Sequence, residues 1–328
     1  MPLQFTRRKM LASGLASTVA PQFAGPAWAQ TWPSKPIKIV VGYPAGGLTD
    51  LFARAYGEYI AQKVGQPVLV ENKAGAGGII GAQTVKASPA DGYTLMFTIA
   101  TTMIMNRVLY KTLPYDADKD FVLISSMSPG QLPFVVHKST GAKTLKDFFE
   151  HAKTNKVTYG SYAAGSYSHI AIAELNKHFG TNIEVVHYRG EAPMWQDFNA
   201  GVIQAASGSY QAASNILQSS VGTAVANWPR RSKKLPDVPS FIELGMTSKV
   251  FGLQGFICLV GPAGMPTEAV EKLSTLMVEG GKSERVQKLL DTFGVDEPAQ
   301  GQGAFKKLYD AEKPVWIELV STLGLTPQ

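Results

Sequence analysis

The stretch from Ile37 to Val64 constrains this chain most. A β-branched run, Ile37-Lys38-Ile39-Val40-Val41, leads into Gly42-Tyr43-Pro44-Ala45-Gly46-Gly47. Leu48, Leu51, Phe52, Ala55, Tyr59, Ile60 and Val64 then recur at helical spacing and predict one apolar face. Thr49 and Asp50 sit where a cap or a negative charge favours a helix start, and Gly65 and Pro67 stop it. A strand that feeds a glycine loop and then a helix is half of a βαβ unit. The unit repeats: a strand at Pro67 to Glu71, a turn with Gly75, Gly77 and Gly78, a helix to about Ala87, and a strand at Tyr93 to Thr98. Such alternation predicts a parallel sheet with helices on both faces.

The pattern restarts after Phe121 to Ile124. Strands are expected at Leu132 to His137, Val157 to Gly160, Ile183 to His187, Val202 to Ala206 and Gly222 to Asn227. Helices are expected at Leu145 to Lys153, Ser168 to Phe179 and Pro193 to Ala200. After the extended connector Leu235 to Pro239, a strand at Gly255 to Val260 returns, and the chain ends in helices at Ala269 to Glu279, Glu284 to Phe293 and Phe305 to Leu323. The expected organisation is therefore two α/β lobes, 30–129 plus 256–328 and 130–255. The chain would cross between them twice, which makes a natural hinge.

Residues 1–29 read as an export signal. Arg7-Arg8-Lys9 is its charged end, Met10 to Val19 a short apolar run, and Ala27-Trp28-Ala29 a small-x-small cleavage site. Thr6 to Leu11 also resembles a twin-arginine signal; a plain secretory signal remains the alternative. The apolar run falls short of the ~20 residues a membrane span needs. The leader accounts for three of the 31 Lys and Arg and none of the 25 acids, so the formal charge of +6 drops to 28 minus 25, or +3, over 30–328. A charge so small and dispersed excludes a nucleic-acid footprint. The single cysteine, Cys258, lies in the apolar run Phe256 to Val260 and reads as core.

Two loops stand out chemically. Pro44 to Gly47 before a helix exposes backbone amides and a positive dipole end, which is an anion site without Lys or Arg; the bland alternative is a tight turn that binds nothing. Gly160 to His169 repeats the design in the second lobe. Other chemistries fail. Gly75-Ala76-Gly77-Gly78-Ile79-Ile80-Gly81 misses the dinucleotide fingerprint, because its third glycine falls at 81 instead of 80. There is no Gly-Lys-Ser/Thr loop and no G-x-S-x-G elbow. His137, His151, His169, His178 and His187 show no metal-ligand spacing, so neither metal nor cofactor is expected. Arg230-Arg231-Ser232-Lys233-Lys234 reads as a solvated surface loop.

The pieces taken together resemble the Bug family of periplasmic solute-binding proteins, the receptors of tripartite tricarboxylate transporters. They are Trp32 to Ile37; Tyr43 to Gly47 with Asp50 and Ala53-Arg54; Gly65 to Val68; Val70 to Gly78; Asp91 to Leu95; Leu113 to Asp116; Gly165-Ser166 with His169; Tyr188-Arg189-Gly190; Leu235 to Pro239; and Pro262 to Pro266. The resemblance spans nearly all of 30–328. It implies a type II periplasmic-binding-protein fold that closes around a small carboxylate. It places Tyr43, Ala45, Gly46, Gly47 and Asp50 on the first lobe's side of the cleft, with Thr101 and Thr102 as wall residues. On the second lobe's side it places Gly165, Ser166 and His169. It further implies a periplasmic monomer whose partners are transporter subunits or a sensor. The sequence departs from the family where an Asp often follows Gly201-Val202: here Gln204 stands, then Ser207-Gly208-Ser209. The Trp often found before the returning strand is replaced near Leu253. Gln204 and Ser207 are taken as cleft residues, and a neutral Gln204 suggests a carboxylate without a free amine, for example a dicarboxylate or an aromatic acid. The competing reading is an exported α/β hydrolase using Ser166 and His169.

Overall fold

Ten strands and ten α-helices lie along the described residues of the computed structural model, which are Met1, 32–324 and Pro327. In chain order they are β1 (Ile37–Val41), α1 (Leu48–Val64), β2 (Val68–Asn72), α2 (Ile79–Lys86), β3 (Thr94–Ile99), α3 (Asn106–Leu109), β4 (Phe121–Met127), β5 (Phe134–His137), α4 (Leu145–Thr154), β6 (Thr158–Ser161), α5 (Tyr167–Phe179), β7 (Glu184–His187), α6 (Glu191–Asn199), β8 (Ala205–Ser207), α7 (Tyr210–Gln218), β9 (Gly222–Ala226), β10 (Ile257–Pro262), α8 (Thr267–Gly280), α9 (Glu284–Phe293) and α10 (Gln302–Ser321). Pro33–Gln328 forms one unit, distinct from Met1–Trp32. The leader read over 1–29 lies, apart from Met1, outside the described residues.

Two five-stranded sheets result, ordered β2-β1-β3-β10-β4 and β7-β6-β8-β5-β9. The chain leaves the first between Met127 and Phe134 and returns between Ala226 and Ile257. The sheets are mixed, where strict alternation predicted parallel ones. β2, β1 and β3 are parallel, as are β7, β6 and β8. β10 runs antiparallel to β3 and β4, and β5 antiparallel to β8 and β9. The reason is topological. In each sheet the reversed strand is the first one laid down after a crossing, so it enters from the other lobe and runs against its neighbours. β10 is buried along its whole length, Cys258 included, as a central strand covered on both faces must be.

Local chemistry fixes the ends of the helices. Gly65 closes α1 in the left-handed region (φ 69°) and returns its N–H to Ala61 O. Thr144 and Asp147 form a reciprocal capping box on α4. Ser166 caps α5 and Ser209 caps α7. The N-termini of α1 and α6 have no side-chain cap.

Candidate ligand-binding site

The loops that follow the strands build one cavity of about 790 Å³. Tyr43 to Thr49 follow β1, Ala100, Thr101 and Met105 follow β3, Tyr162 follows β6, Arg189 to Pro193 follow β7, Ser209 follows β8, and Trp228 follows β9. Both chain crossings reach its wall, through Pro129 and Leu132 and through Gly255 and Phe256. This is where an open α/β sheet holds a ligand, outside the carboxyl ends of its strands.

The loop of the first lobe is built to present its backbone. Gly47 is the N-cap of α1, and Leu51 N–H is the first to bond back, to Gly47 O. The amides of Gly47, Leu48 and Thr49 have no acceptor among the described residues, and all three residues line the cavity. Asp50 braces the loop from beneath. Its Oδ2 accepts from Gly46 N–H at 2.9 Å and Arg54 Nε at 3.1 Å, and its Oδ1 from Asn72 Nδ2 and Arg54 Nη2, both at 2.9 Å. Burial pushes its carboxyl pKa up, but Arg54, Gly46 and Asn72 outweigh that and hold it below the ordinary value. Asn72 also donates to Tyr43 O. Thr102 Oγ1 donates to Gly77 O at 2.9 Å, and Tyr43 Oη lies 3.0 Å from Thr102 Oγ1 and can donate to it.

The predicted site residues separate into three groups. Tyr43, Ala45, Gly46, Gly47 and Thr101 line the cavity, whereas Asp50 and Thr102 sit behind it and hold it in shape. Gly165, Ser166 and His169 are buried at the start of α5 and are satisfied locally. Ser166 Oγ accepts from His169 N–H, and His169 Nδ1 accepts from Gly165 N–H at 3.1 Å. The His169 ring packs on His187, with centroids 4.3 Å apart. Gln204 stands at the start of β8, the far end of the strands, where its Oε1 accepts from Thr158 N–H and its Nε2 donates to Gly201 O. Ser207 is buried within β8, opposite Phe134 and Ser161. None of these five reaches the cavity wall.

The second lobe instead contributes Arg189, Gly190 and Glu191. They are a charged pair and the turn between them, and among the described residues no other charged residue lies on the wall. Arg189 is exposed and has no hydrogen-bond or ion-pair partner among the described residues. Glu191 opens α6; its carboxylate accepts from Ser209 N–H at 2.9 Å and Ser209 Oγ at 2.6 Å. Burial pushes the Glu191 carboxyl up, and the Ser209 donors oppose that. The helix expected from Pro193 starts at Glu191, which brings this charge to the cavity. Arg189 was legible in principle, because it follows the end of a strand within Tyr188-Arg189-Gly190. Trp316, from the middle of α10, carried no local signal. Among the described residues no group of three His, Cys, Asp or Glu could hold a metal, and no helix is long and apolar enough to cross a membrane.

Residues 52–325 match the family described as tripartite tricarboxylate transporter family receptor. This chain belongs to that family. Protein BugT of Bordetella pertussis is 29% identical over 267 residues, covering 80% of this chain and 81% of BugT. A solved structure described as a periplasmic transporter is 31% identical, with a TM-score of 0.76 over 90% of this chain and 99% of the other. A second, an R. palustris protein with adipate, is 26% identical, with a TM-score of 0.78 over 90% of this chain and all of the other. The receptor thus has the two-lobed type II periplasmic-binding-protein fold. The family match begins just past the Pro44 to Asp50 loop, so the reading of that loop rests on its geometry.

Proposed function

We propose that this receptor captures a small carboxylate in the periplasm by closing its two lobes, and delivers it to the membrane subunits of a tripartite tricarboxylate-type transporter. One observation carries the reading: the uncapped N-terminus of α1 turns its free amides into the cavity between the lobes. Amides at a helix start bind a carboxylate without a side-chain charge. Arg189, unpaired on the opposite wall, neutralises the same anion when the lobes close. A ligand that touches both walls stabilises the closed form by its differential contacts there. The crossings at Met127 to Phe134 and at Ala226 to Ile257 act as the hinge. Two of the relatives support this reading, one bound to adipate and the other described as periplasmic. The receptor works as a monomer after cleavage near Ala29, and no cofactor enters its action. Ser166 and His169 do not favour a hydrolase, because the serine oxygen and the imidazole Nδ1 are both occupied in closing the start of α5.

Gly47→Val tests the site. Gly47 has an extended backbone (φ −79°, ψ 173°), and an added Cβ would meet only Pro44 O, at 3.6 Å. The fold therefore tolerates the branch, and the cavity does not. Titration calorimetry with a panel of small carboxylic acids should show binding to the parent and none to Gly47→Val at unchanged melting temperature. Equal affinity in the two proteins would refute the assignment.

A further inference from the structure

We infer that the ligand is a carboxylate with one acid group on an aromatic body, and that tricarboxylates are rejected. The inference rests on the carboxylate reading above and narrows it. Charge is the first ground. Apart from the α1 amides, the wall offers one cation, Arg189, and one anion, Glu191. Glu191 cannot swing away, because Ser209 holds both of its oxygens. The start of α6 is uncapped too, but Glu191 on its first turn offsets that dipole end; the α1 amides and one guanidinium then remain for a single carboxylate, and a second or third acid group would lie unpaired beside Glu191, which disfavours it.

The second ground is the rest of the wall. Tyr162, Tyr167, Trp195, Trp228, Phe256 and Trp316 all contribute to it. Tyr167 and Trp228 stack at 3.8 Å, and Trp316 meets Tyr167 edge-on, with centroids 6.4 Å apart and planes at 76°. Rings locked against one another in this way form a rigid, flat-sided recess. A planar ring fills it face or edge with little ordering cost, whereas a short flexible acid leaves apolar wall uncovered.

The test is calorimetry on the full receptor with phenylacetate, 3-phenylpropionate, cyclohexylacetate, adipate and citrate, alongside tryptophan fluorescence. The aromatic acids should bind at least tenfold more tightly than the other three and shift the emission. Trp228→Leu should lower the ratio of phenylacetate to adipate affinity at least tenfold, and an unchanged ratio overturns the inference. Tighter binding of adipate or citrate, or no preference for phenylacetate over cyclohexylacetate, overturns this inference and leaves the carboxylate reading standing. If none of the acids binds, both fall.

Discussion

Asp50→Asn is the most informative single substitution. The side chain keeps its shape, yet four donors converge on the two Asp50 oxygens: Gly46 N–H and Arg54 Nε on one, Asn72 Nδ2 and Arg54 Nη2 on the other. Either orientation of the new amide turns its NH2 group toward two of them. Asn72 cannot turn to compensate, since its Oδ1 accepts from Arg54 Nη2 and its Nδ2 also donates to Tyr43 O. Two buried or half-buried donors left unmatched cost about 1–3 kcal/mol each, and the lost charge adds to that. A total of about 3 kcal/mol corresponds to a fall in melting temperature of about 6–12 °C. Release of the Gly46 amide also loosens the loop that presents Gly47 to Thr49, so affinity for the tightest acid of the panel should drop about tenfold, the equivalent of about 1.4 kcal/mol. Thermal unfolding followed by circular dichroism and calorimetry at a fixed temperature measure the two effects separately. An Asp50→Asn protein that melts within 1 °C of the parent and binds as tightly would refute the claim that Asp50 holds the loop.

Other consequences can be measured directly. Arg189→Gln should weaken carboxylate binding about tenfold or more without lowering the melting temperature, because Arg189 has no partner in the fold to lose; an unchanged dissociation constant would remove it from the site. Burial, with His187 nearby, lowers the His169 pKa to about 4, so the folded receptor favours the neutral ring. This contribution to stability is full above the ordinary imidazole value near 6.5 and is lost as pH falls toward 4, by up to about 2 kcal/mol at pH 5. Urea unfolding at pH 7 and pH 5 should show the loss, and His169→Gln should flatten it. Glu312 on α10 accepts from the backbone of Gln254 and Gly255 and from Trp316 Nε1, tying the second crossing to the cavity wall. Glu312→Gln should lower both melting temperature and affinity, and a change in stability alone would show that it does not shape the cavity.

Much of this architecture was legible because it depends on local chemistry. Glycine loops, β-branched runs and helical apolar spacing placed β1, α1, β2 and β3 closely. Three features escaped. α7 lies in Tyr210 to Gln218, where small polar residues dilute the apolar period. The reversed directions of β5 and β10 depend on which lobe the chain arrives from, and no residue encodes that locally. On the site, the symmetry argument pointed to the start of α5, yet Ser166 caps that helix with its own side chain, while α6 begins at an uncapped glycine, Gly190. Two similar loops thus differ by one side-chain oxygen. Gln204 shows a second limit: position along a strand decides which end a residue occupies, and Gln204 lies at the end opposite the cavity. The suggestion that the ligand lacks an amine was built on Gln204, and it loses its ground because Gln204 does not reach the cavity.

The reversed β10 also sets the order in which the polypeptide can take shape. β5 to β9 form a contiguous segment, so the second lobe has all its strands once Ala226 has been made. The first lobe has to wait. β10 separates β3 from β4, so until Ile257 to Pro262 emerge those two strands have no common neighbour and β4 stays outside the sheet. Contacts so distant in sequence form late, and the nascent chain must carry two unpaired strand edges past a finished neighbour. A fragment ending at Gly252 should therefore keep an organised middle and flanks that aggregate, which gives the last quarter of the chain the role of a clasp.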